Sequence, residues 1–72
     1  MGVREDVEAC IARRPGLTEA EIAEVVLGRG ARQQQVNPSC RELTLMGRVE
    51  RRGYGGPGDP FRYFPKSSGA KT

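Results

Sequence analysis

Apolar positions recur with helical spacing over the first two thirds of the chain. Val3, Val7, Cys10 and Ile11 fall at i, i+4, i+7 and i+8, the stripe of an amphipathic helix. Pro15 and Gly16 end it. The next run, LTEAEIAEVVLG, carries several helix-start signals together. Thr18 can cap free amide groups while Glu21 reaches back to the amide of Thr18, and Leu17 and Ile22 flank the cap at the spacing of a hydrophobic staple. Ile22, Ala23, Val25 and Val26 supply the expected buried face. Gly28, Arg29 and Gly30 follow, with glycine where a left-handed residue would stop the helix. A third helix is predicted over about residues 32–47. At about 100° per residue, Val36, Cys40, Leu43 and Gly47 cluster on one side of it. Gln34, Pro38, Arg41 and Leu45 lie on the other side, with Asn37 on the flank. Pro38 is tolerated in a first turn and costly further in, so an irregular start is expected.

After Gly47 the period changes to two. RVERRGY alternates, with Val49 and Arg51 on one face and Glu50 and Arg52 on the other. GGPGDP is turn chemistry, and FRYF reads as a returning strand whose aromatic residues suit a half-buried pleated surface. Phe61 and Tyr63 share the face expected to close the core. The predicted fold class is α+β, three helices followed by a two-stranded β-hairpin. Residues 1–65 form one domain, and residues 66–72, small and polar, read as a flexible basic tail.

Charge sharpens this outline. Residues 1–28 hold three arginines against six acids, whereas residues 29–52 hold six arginines against two acids. Residues 53–72 add Arg62, Lys66 and Lys71 against Asp59. An acidic first third and a basic remainder suggest a polyanionic partner for the basic part. With 72 residues there is room for one small core. A chain this short buries only about 60 % of the surface its unfolded form exposes.

The same residues argue against several other classes. Histidine is absent and the two cysteines form no CxxC pair, so no metal site is expected. Cys10 and Cys40 fall on apolar helix faces and read as buried free thiols of a cytoplasmic protein. The glycines of GRGARQ lack the lysine of a phosphate loop, and the acids lie on faces that read as solvated. Neither an enzyme nor a cofactor is expected. The N-terminal stretch has no long apolar run, so neither a signal peptide nor a membrane span is predicted there. A myristoylation signal would want Ser or Thr where Asp6 stands.

The order helix, helix, turn, helix, hairpin resembles the winged helix-turn-helix family. LTEAEIAEVV looks like its second-helix segment, and VNPSCRELTLMGRVERRG is similar to its recognition helix and the strand that follows. Val36, Cys40 and Leu43 match three core positions, Gly47 the closing glycine, Val49 the strand anchor and Arg51 the basic residue after it. The similarity runs over about residues 5–64 and is nearest in kind to small bacterial and phage proteins. The chain departs from the pattern at Cys40, where a larger aliphatic residue is usual, and at Leu45, where a polar one is.

The resemblance implies double-stranded DNA as partner, with the recognition helix in the major groove and the wing, about residues 48–64, along the backbone. On that reading Gln33, Gln34, Asn37 and Arg41 face base edges. Gln and Asn can pair twice with adenine, and Arg twice with guanine. Arg29, Arg32, Arg52, Tyr54, Arg62 and Lys66 are the expected phosphate contacts, which position the protein without reading sequence. A small transcriptional regulator or a phage or mobile-element accessory is implied. The alternative is a winged-helix adaptor that binds protein, favoured by Leu45 on the outward side. A protein partner or a homodimer stays open, since no long extra helix or heptad supplies an interface.

Overall fold

The computed structural model of the chain describes residues 2–56 and 58–66. Its elements run α1 (Val3–Arg13), β1 (Leu17–Thr18), α2 (Glu19–Leu27), a 3-10 turn (Gln33–Gln35), α3 (Asn37–Leu45), β2 (Val49–Arg52) and β3 (Arg62–Pro65). The architecture is α+β, three helices with a small antiparallel sheet of order β1-β3-β2. The sheet therefore has three strands where the sequence predicts two. Leu17 pairs with Tyr63 and Thr18 with Arg62 along one edge of β3, while Val49 to Arg52 pair with Pro65 to Arg62 along the other. Two residues are too few to show a period, which is why β1 reads only as the cap and staple of α2. Residues 67–72 of the expected tail, and Pro57 in the predicted turn, lie outside the described residues.

Helix boundaries follow local chemistry. The Thr18 hydroxyl accepts from the Glu21 amide at 3.3 Å, and the Glu21 carboxylate accepts from the Thr18 amide at 2.9 Å, closing the predicted capping box. Gly28, at φ +107°, stops α2. At the end of α3 the Arg48 amide donates to Leu43 O and the Gly47 amide to Thr44 O. That pair of hydrogen bonds is the Schellman stop, and Gly47 takes the left-handed position at φ +76°.

The third helix is shorter than predicted, and Pro38 is the reason. In a continuous helix from residue 32 its nitrogen would have to donate to Gln34 O, and it has no hydrogen. The chain instead closes two tight turns, Gln35 N to Arg32 O and Val36 N to Gln33 O. It then restarts as an α-helix at Asn37, with Pro38 in the first turn, where a missing donor costs little. The Gln35 side chain accepts from the Arg32 amide at 2.8 Å and caps the tight turn. Gln33 and Gln34 thus sit on a 3-10 turn ahead of the helix, not on it.

One core joins all three helices to the sheet. Val7, Cys10 and Ile11 of α1 meet Ile22 and Ala23 of α2, then Val36, Cys40, Leu43, Val49 and Tyr63. Each fully buried aliphatic side chain here stabilises the fold by about 1.5–3 kcal/mol relative to exposure. Phe61 packs at the margin of this core, as do Leu17, Val26 and Ala31. Val25, expected in the buried face of α2, is 48 % exposed instead. Both cysteines are free and buried. Desolvation pushes the Cys40 thiol up to about 12, and it raises that of Cys10 as well. Among the described residues, no helix is long and apolar enough to cross a membrane.

Candidate nucleic-acid interface

The basic segment divides into arginines that have carboxylate partners and arginines that do not. Arg48 Nε lies 2.7 Å from Glu8 Oε2, tying the start of β2 to α1. Arg4 lies 3.0 Å from Glu42, so the single acid of α3 is balanced from α1. Arg52 is 2.8 Å from Glu50, two residues away on the same strand face, and its guanidinium stacks 4.6 Å from the Phe64 ring. Among the described residues, Arg29, Arg32, Arg41 and Arg51 have no such ion pair. All of them except Arg51 belong to the set the sequence singles out.

Arg41 sits on the outward side of α3. At about 100° per residue, Pro38, Arg41 and Leu45 share the side away from the buried Cys40 and Leu43. Leu45 is 81 % exposed, and Met46 beside it is 51 % exposed. Gln33 and Gln34 are exposed on the turn that leads into the helix. Gln33 also borders a cleft of about 480 Å³ whose other walls include Thr18 at the start of α2, the loop residues Gly55 and Gly56, and Phe61. The Arg51 guanidinium lies 4.2 Å over the Phe61 ring. The cleft thereby joins the glutamine turn, the start of α2 and the β2–β3 loop along one edge of the molecule, and Arg51 stacks on its Phe61 wall.

Asn37 is placed differently from the expectation. Its side-chain amide is half-buried and donates to Glu19 Oε1 at 2.9 Å. The other oxygen of the same carboxylate accepts from the buried Tyr63 hydroxyl at 2.6 Å. One carboxylate at the start of α2 therefore holds the first residue of α3 and the middle of β3. Asn37 is committed to this clamp and drops out of the outward set. Burial raises the Tyr63 hydroxyl well above its ordinary value, and the hydrogen bond to Glu19 acts in the same direction.

The remaining expected contacts are scattered along the hairpin. Arg52 and Arg62 are cross-strand partners on the outer face, as the alternation predicts. Arg52 turns to Glu50, while Arg62 Nη1 donates to Gly16 O at 2.9 Å. Both guanidiniums are exposed but already engaged. Lys66 is exposed just past β3. Tyr54 is 92 % exposed, its amide donating to Asp59 Oδ2 at 3.2 Å.

Sequence reasoning misses two residues of this region. Arg51 is passed over for Arg52, although Glu50 shares the strand face of Arg52 and the two form an ion pair. Glu19 reads as a helix-start acid, and nothing in the local sequence signals its distant partners. No family model matches this chain, and neither a curated protein nor a solved structure does.

Proposed function

We propose that this chain is a winged helix-turn-helix domain that binds double-stranded DNA. In this reading α3 and the glutamine turn before it enter the major groove, and the β2–β3 hairpin is the wing. The element order supports it, with three helices, a short strand ahead of α2 and a hairpin that completes the sheet. The observation that carries it is the pattern of pairing. Arg48, Arg52 and the acid of α3 are neutralised within the fold, while among the described residues Arg29, Arg32, Arg41 and Arg51 have no carboxylate partner, although Arg51 also stacks on Phe61.

Gln33, Gln34 and Arg41 are the groups offered to base edges, and Arg29, Arg32 and Arg51 those offered to phosphates. Arginine suits both tasks, because its planar fork meets guanine or phosphate with two parallel hydrogen bonds. The two roles separate by mutation. Arg41→Ala relaxes preference among duplexes, losing about 1–3 kcal/mol at one base pair. Arg51→Ala weakens all duplexes alike and lowers the salt slope by about one unit. Competition binding with a randomised duplex library reads both; sequence-blind losses from both variants would assign α3 to the backbone only.

A second reading, a protein-binding adaptor, is favoured by the exposure of Leu45 and Met46. It predicts that Leu45→Lys destroys function, whereas DNA binding predicts that the added cation preserves or strengthens duplex affinity.

A further inference from the structure

A groove of about 500 Å³ runs between α1 and α2, and none of the proposed DNA contacts lines it. Its apolar floor is Ala9, Cys10, Val25 and Val26, and Val25 is 48 % exposed. Its charged rim is Asp6 at one end and Arg13 with Arg14 at the other. Six charged side chains lie between Arg4 and Arg14. Arg4, Glu5 and Glu8 are engaged in ion pairs. The three without one, among the described residues, are those lining the groove. Asp6 and Arg13 stand seven residues apart, about 10 Å along the helix, too far to neutralise each other within one copy.

We propose that this face is a two-fold dimer interface, occupied by the same face of a second copy. Packing two α1 helices antiparallel sets each Asp6 against the partner's Arg13 and Arg14, and both ends are satisfied at once. Such an isologous contact uses one patch twice and closes on itself. Ala9 lies near the midpoint between the charged ends and is exposed, so the two helices can approach closely there. Val25 and its copy gain apolar cover. The charges set orientation and partner choice, while the apolar floor supplies the driving force. A nucleic acid fits this face poorly, because Asp6 would meet phosphates. The proposal does not depend on the DNA reading, although a dimer would double the contact area of a module this small.

Charge exchange provides the test. Asp6→Arg leaves three bases on the rim, and the double variant Arg13→Glu/Arg14→Glu leaves three acids. Sedimentation of the full chain should show wild type as a dimer and each variant alone as a single copy. An equimolar mixture of the two should sediment as a one-to-one dimer, because every rim contact is then between opposite charges. Far-ultraviolet circular dichroism should match wild type for both variants, since the altered side chains are exposed. Wild type remaining a single copy at high concentration would overturn the proposal. So would variants that dimerise alone as well as wild type does, or a mixture that fails to associate.

Discussion

Glu19 ties α2 to both α3 and β3 through one side chain. Its two carboxylate oxygens accept from Asn37 and Tyr63, residues 18 and 44 positions away. Glu19→Ala leaves a buried hydroxyl and a half-buried amide without their acceptor, a loss on the order of 1–3 kcal/mol for each unsatisfied group. Tyr63→Phe removes one donor but leaves the carboxylate bonded to Asn37, so it costs less. Urea unfolding of both single variants and the double variant measures this. The double variant should be less destabilised than the sum of the singles, because the groups share one interaction. Strict additivity would mean that the hydrogen bond contributes nothing. At this scale the sequence reveals little: an acid in the first turn of a helix is favourable on local grounds alone. The core residues are a different case. Val7, Ile11, Ile22, Val36, Cys40 and Leu43 are legible from spacing because burial repeats with the helical period, while a clamp between distant residues has no period.

Whole elements were legible wherever their ends carry their own chemistry. The capping box of α2 and the glycine stop of α3 are local, so Thr18, Glu21 and Gly47 announce them. The start of α3 is a competition between two local tendencies. Apolar spacing extends the helix back toward residue 32, and the missing donor of Pro38 breaks it. The pattern alone does not weigh these, and the outcome is a tight turn that presents Gln33 and Gln34 ahead of the helix axis. The β2–β3 loop holds a further local constraint. Gly55 has φ +82°, and a Cβ there would lie 2.4 Å from Cε2 of Phe61. Gly56 has open space around it. Gly55→Ala must therefore displace the ring that carries Arg51 and adopt an unfavourable backbone, costing at least about 1 kcal/mol. Gly56→Ala should be near neutral. Thermal melts of the two variants compare them directly, and equal midpoints would mean that the loop does not hold Phe61 in this arrangement.

Across the whole molecule, α1 pairs with one charge of each sign in the basic half. Glu8 takes Arg48, and Arg4 takes Glu42. The imbalance between the acidic first third and the basic remainder was visible in the sequence. Which arginines stay unpaired was not, because that depends on how α1 lies against α3 and β2. The result is a basic region running from the turn before α3 into β2. It is the basis for expecting a polyanion there. The most direct measurement is a titration of the labelled chain with a random-sequence DNA duplex, followed by amide chemical shifts at several salt concentrations. Shifts should concentrate at residues 29–41 and 50–62. Affinity should fall steeply with salt, with a logarithmic slope of about −3, at about 0.9 for each of the phosphate contacts Arg29, Arg32 and Arg51. An absence of shifts at low salt, or shifts confined to α1, would contradict DNA binding by this face.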